Sequence, residues 1–156
     1  MPLKPSRVLP RDMNARQWDL YIQGIQADSR VKTFQPTWIG FSADPVGVMS
    51  YLDFGALVVM WADDLLAGTS DATSFSLDGV PEEIRPRGTA VRDIHCLVLD
   101  SSNGLSGLAT VNPDGTIDFS VNVTNVVANR ISPALNGFTG SGTKGLLPGW
   151  ILVYVK

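Results

Sequence analysis

The stretch Leu146-Leu-Pro-Gly-Trp-Ile-Leu-Val-Tyr-Val-Lys156 ends the chain, and its reading decides the fold. Trp150 to Val155 is an unbroken apolar run of aromatic, β-branched and aliphatic residues. That composition suits a strand covered on both faces. Frayed termini are not built this way. The run therefore predicts a central strand around which the earlier strands assemble. Two more runs upstream read similarly, Ala56-Leu-Val-Val-Met-Trp61 and Val91 to Leu99. Two of the three could be covered by an opposing sheet within one protomer. The excess predicts subunits packed face to face.

Between these runs the chain is punctuated for β-structure. It holds 15 glycines and 10 prolines, and no strong helical period appears after Val31. Further strands are expected over Phe34 to Phe41, Val48 to Leu52 and Thr73 to Leu77, the last with Phe75 and Leu77 inward. Leu105 to Val111 and Thr116 to Val123 form a hairpin about Asn112-Pro-Asp-Gly115, where proline fixes φ and glycine accepts a positive one. Ser132 to Gly145 reads as a glycine- and serine-rich connection. About eight antiparallel strands with a core strand last predict a mainly β protein, a two-sheet jelly-roll sandwich.

One short helix precedes this block. Asn14 is a good N-cap, with Gln17 three residues on. Trp18, Tyr21, Ile22 and Ile25 fall at i, i+3, i+4 and i+7, a single apolar stripe over Asn14 to Ala27. Before it, Pro2, Pro5 and Pro10 alternate with Lys4, Arg7 and Arg11 in an extended segment. The expected division is a tail and amphipathic anchor helix over 1–30 and a head domain over 31–156. The stripe needs a partner, because a helix this short is marginal alone. Packing onto its own domain is one choice; self-association or docking into a larger assembly is the favoured one.

Charge and composition exclude several classes. The net charge of −3 lacks the basic surplus that nucleic acid demands. Cys96 is the only cysteine, so no intrachain disulfide is available. The first residues have no apolar core for a signal peptide, which predicts folding in a cytoplasm without Sec-type export. The run Ala56 to Ala62 is too short to cross a bilayer.

The chemistry-bearing residues do not assemble into a catalytic pattern. His95 is the only histidine and is followed by Cys96 in an apolar strand, where neighbours point to opposite faces. Asp63 and Asp64, with Asp71 or Asp44, could contribute oxygens to a calcium ion, but capping and turn roles suit them better. Lys144 sits among Gly137, Gly140, Gly142 and Gly145. The phosphate-loop spacing fails there, and a strand follows where a helix is required. Trp38, Trp61 and Trp150 lie in strand-like runs as core or interface anchors, and an exposed one could stack on sugar. No enzyme activity, metal or cofactor is expected.

A family resemblance adds to this reading. Its carriers are Phe34-Gln-Pro-Thr-Trp-Ile-Gly-Phe-Ser42, Gly47-Val-Met-Ser-Tyr51 and Phe54-Gly55 leading into Val58-Val-Met-Trp61. Further along are Gly68-Thr-Ser-Asp-Ala-Thr73, Leu77-Asp-Gly-Val-Pro81, Ile84-Arg-Pro86, Asn112-Pro-Asp-Gly-Thr-Ile-Asp-Phe119 and Phe138-Thr-Gly-Ser-Gly-Thr-Lys-Gly145. From Phe34 on, the chain resembles the small jelly-roll heads of tailed-bacteriophage surface proteins, which are similar to the complement globular head and tumour necrosis factor. The resemblance implies a homotrimer with Val58, Met60, Trp150, Leu152 and Tyr154 at its core. It implies a virion protein made in the host cytoplasm, joined to other virion proteins through the N-terminal segment. No heptad run or triple β-helix repeat precedes the head, which favours a knob seated on the capsid or a short tail appendage. The alternative is a tail-fibre or receptor-binding knob that recognises a host-surface glycan or protein.

Overall fold

A computed structural model describes residues 30–89, 91–121, 137–149 and 151–156. The helix expected over Asn14 to Ala27, with Trp18, Tyr21, Ile22 and Ile25, lies outside the described residues, as does Trp150. The described chain is mainly β, as its turn-punctuated composition predicts, and every strand pairing is antiparallel.

The strands run β1 Lys32–Phe34, β2 Thr37–Ile39, β3 Phe41–Ala43, β4 Met49–Asp53, β5 Leu57–Ala62, β6 Leu66–Ser70 and β7 Phe75–Asp78. A 3₁₀ turn at Glu82–Ile84 leads to β8 Arg92–Asp100, β9 Asn103–Val111, β10 Ile117–Ser120, β11 Thr143–Leu146 and β12 Ile151–Val155. They form a four-stranded sheet, β1-β4-β5-β12, and an eight-stranded one, β2-β7-β10-β9-β8-β11-β6-β3.

The two edges of the larger sheet, β2 and β3, are consecutive in sequence with Gly40 alone between them. The sheet therefore rolls round until its edges are two halves of one bent strand, a nearly closed barrel-like sandwich. Gly40 makes the corner possible. Its φ is +97°, and a Cβ there would sit 2.4 Å from the Ser74 carbonyl oxygen.

One continuous core fills the space between the sheets. Phe75 is its centre, stacked on Phe119 at 4.5 Å between ring centroids and edge-on to Phe41 at 5.2 Å and Phe138 at 5.4 Å. From the smaller sheet Met49, Tyr51, Val58, Met60, Leu152 and Tyr154 point inward. The 3₁₀ turn is tied to that sheet. Tyr154 Oη donates to the Ile84 carbonyl at 2.8 Å, and Tyr51 Oη donates to Glu83 Oε1 at 2.8 Å.

Several expectations change here. Among the described residues the terminal strand is an edge of its sheet rather than a centre, paired with β5 alone. It alternates, with Leu152 and Tyr154 buried and Ile151, Val153 and Val155 exposed. β8 alternates as well: Ile94, Cys96 and Val98 turn inward while His95 and Leu97 are exposed. The span expected as one strand over Phe34 to Phe41 is broken into three pieces by Pro36 and Gly40. β6 was not expected, and the end of the glycine-rich connection forms β11 instead of a loop. Both carry glycine where two backbones nearly touch; a Cβ on Gly145 would lie 2.0 Å from the Leu66 carbonyl oxygen. The hairpin of β9 and β10 about Asn112 to Gly115 forms as expected.

Candidate functional site: an apolar outer sheet face

The outward face of the four-stranded sheet is built by register. In antiparallel pairs, residues directly opposite share a face. Ser50, Trp61 and Ile151 make one outward row, and Leu52, Val59 and Val153 the next. Leu57 and Val155 make a third, closed by Phe54 at the β4–β5 turn, whose N–H donates to the Leu57 carbonyl at 2.8 Å. No outward position in these rows on β4, β5 or β12 carries a charge.

The face is open to solvent. Ile151 is 54% exposed, Val155 53%, Phe54 51%, Val153 47% and Leu57 39%. These five side chains together present roughly 400 Å² of apolar surface, within the range of the largest patch on a typical monomer, and such patches are often functional. The apolar surface continues past the sheet edge. β12 runs beside β8, and Arg92 Nε donates to the Val155 carbonyl at 2.7 Å. A shallow depression of about 260 Å³ at this seam is lined by His95, Cys96, Leu97, Ser106 and Ile151.

The inward positions expected at the subunit axis belong to the protomer itself. Val58, Met60 and Leu152 are fully buried and Tyr154 nearly so. Within the protomer they pack in the core between the two sheets. The outward alternates in the same strands are the ones left uncovered. A strand's side-chain period of two means that one step along the chain moves a residue from core to surface.

The other chemistry-bearing residues are dispersed. His95 is exposed on the outside of β8 while Cys96 points into the core. Burial pushes the Cys96 thiol up to about 12, which keeps it protonated and inert. Among the described residues no three His, Cys, Asp or Glu side chains converge to hold a metal. Asp63 is engaged by two donors, Ser50 Oγ and Trp61 Nε1, each at 2.6 Å, and both hold its carboxyl below the usual carboxylate range. Lys144 is engaged within the protomer. It is fully buried, with Nζ donating to the carbonyls of Ala72 at 2.8 Å and Ser74 at 2.6 Å. Of the tryptophans, Trp38 packs in the core and Trp61 lies on the outer face.

No family model and no curated protein matches this sequence. The geometry thus carries the functional argument. What this arrangement can do is bind a flat apolar surface. The missed residues are Ile151, Val153 and Val155. Their signal was present in the run Trp150 to Val155, whose outward half was assigned to the interior.

Proposed function

We propose that this chain is a phage virion structural protein, a surface-exposed homotrimeric knob attached to the capsid or to a short tail appendage. Residues 1–30, with Trp18, Tyr21, Ile22 and Ile25, are its attachment segment to other virion proteins. Residues 31–156 are its jelly-roll head. The role is assembly rather than catalysis.

The single observation behind this reading is the apolar outer face of β4, β5 and β12, whose outward strand positions carry no charge. Asp63 lies beside that face, its carboxylate already held by Ser50 Oγ and Trp61 Nε1. A partner chosen by charge finds little to read on the strand positions themselves. Roughly 400 Å² of strongly exposed apolar side chain per protomer is about half of what each side of a standard stable interface buries. The half-buried Leu52, Val59 and Trp61 between them add to that area. The resemblance to phage head domains supplies the trimer and the virion setting.

Sedimentation equilibrium of the full chain at micromolar concentration tests the assembly. The expected mass is three times the 16.8 kDa protomer. A single protomer, or a pair, refutes the trimer. Antibody labelling of purified particles tests the location, and particles without label refute it.

A further inference from the structure

The middle strand of the outer face carries an aromatic ring that is fixed before any partner arrives. Trp61 Nε1 donates to Asp63 Oδ1 at 2.6 Å, and Asp63 Oδ2 accepts from Ser50 Oγ at 2.6 Å. Ser50 is the direct cross-strand partner of Trp61. It points to the same outer face, yet it is only 1% exposed. One carboxylate therefore bridges two strands and ties down the indole.

We propose that Trp61 anchors the contact between copies of this chain, and that Asp63 is the positioning residue that sets the indole for it. This rests on the self-association reading above. The indole N–H is satisfied inside its own protomer, so the ring asks only for an apolar surface from the partner. Tryptophan is the residue type most enriched among side chains that dominate interface energies. A ring already held in one orientation pays less ordering entropy on contact. Its neighbours fit the same role. Ile151 lies directly across the ladder and Val59 two positions along the strand, both aliphatic.

An indole beside a carboxylate could instead serve as a sugar platform. Here each carboxylate oxygen already accepts one hydrogen bond within the protomer, and among the described residues the neighbouring outward positions Val59 and Ile151 are aliphatic. A second copy of the chain is the better match.

The test measures association constants of the full chain by sedimentation equilibrium at pH 7.5 for the wild type, Trp61→Ala, Trp61→Phe, Asp63→Ala and Asp63→Asn. Asp64→Asn is the control, since Asp64 stands beside the clamp without belonging to it. Far-UV circular dichroism and thermal midpoints of dilute protomers confirm that each variant folds.

Trp61→Ala is expected to weaken association by about 30-fold or more, as a central anchor does. Asp63→Ala and Trp61→Phe are each expected to weaken it about ten-fold. The double variant Trp61→Phe/Asp63→Ala should be no weaker than either single one, because both break the same bond. Asp63→Asn keeps a side-chain carbonyl for the indole and should restore most of the affinity. The control should match the wild type.

If the wild type associates and Trp61→Ala and Asp63→Ala associate equally well, the anchor is refuted while self-association stands. A wild type that stays a single protomer at every concentration refutes both. Quenching of wild-type fluorescence by soluble glycans, lost in Trp61→Phe, would reassign the indole to a sugar site and overturn the proposal.

Discussion

Replacing Lys144 by methionine puts a number on the least expected feature of this core. The side chain is 0% exposed, yet it carries an ammonium. Its Nζ donates to two backbone carbonyls, at Ala72 and Ser74, and stands 4.8 Å above the Phe41 ring and 5.9 Å from the Phe138 ring. Methionine keeps the volume and length but has no donor. Losing charge-assisted bonds to two carbonyls costs about 1–3 kcal/mol for each acceptor left unsatisfied. The ring contacts add about 1 kcal/mol. Against this, removing a buried charge returns part of its desolvation cost. Ser70 Oγ lies 3.1 Å from the Ala72 carbonyl, but its one proton has a shorter acceptor in the Thr139 carbonyl at 2.7 Å, so it offers the Ala72 carbonyl little compensation. The net expectation is a destabilisation of about 2–4 kcal/mol, or a fall of about 1–2 M in the urea midpoint. Urea titrations at several protein concentrations separate this from any change in association.

The same variant has a pH signature with a definite sign. Burial pushes the Lys144 pKa down from the ordinary lysine value, and the carboxylates of Asp71 and Asp100 pull it partway back. Between the folded and unfolded pKa values the unfolded chain binds the proton and the folded chain does not. Stability contributed by this group therefore rises with pH in that window. The wild type should gain on Lys144→Met as pH rises through the window just below the unfolded lysine value of about 10.4. A variant as stable as the wild type, or a gap that narrows with rising pH, would refute the account.

Two further outcomes follow from the same core. Cys96 should resist thiol reagents in the folded chain at pH 8 and react only on unfolding, because its thiol is buried with a pKa pushed up to about 12; stoichiometric labelling without denaturant would contradict this. Gly40→Ala should cost more than about 2 kcal/mol in thermal or urea unfolding, because a φ of +97° and a Cβ 2.4 Å from a carbonyl oxygen leave it no relaxed conformation; a variant within 0.5 kcal/mol of the wild type, roughly the scatter of neutral surface changes, would contradict it.

Much of this fold is legible in the sequence where side-chain chemistry and backbone geometry agree. The Phe75–Leu77 alternation and the Asn112 to Gly115 turn both form as read, since each is a local rule acting on local residues. The hairpin between β8 and β9 is harder to see. Its two turn residues, Ser101 and Ser102, adopt φ of 49° and 67° without glycine or asparagine at either position. β6 and β11 escape for a related reason. Gly68 and Gly145 look like loop residues, yet each is there because a neighbouring backbone leaves no room for a Cβ. Close approach between distant segments is a tertiary demand, and one-dimensional patterning does not register it.

The terminal strand shows the limit most clearly, and the limit bears on function. A continuous apolar run is read as a strand covered on both sides, and in β12 one side is covered by its own protomer. The sequence reading and the structure are reconciled if the other side is covered by a second chain. Ile151, Val153 and Val155 on an edge strand are otherwise a hazard, since an exposed apolar edge invites indiscriminate pairing. Arg92 Nε occupies one carbonyl of that edge, at Val155, and β8 lies alongside it, so the strand's hydrogen-bonding side is partly screened while its flat face remains open. Screening an edge but leaving a face apolar favours contact through side chains over contact through backbone. That geometry suits the side-chain interface proposed above, and it would not serve a sheet that grows by adding strands.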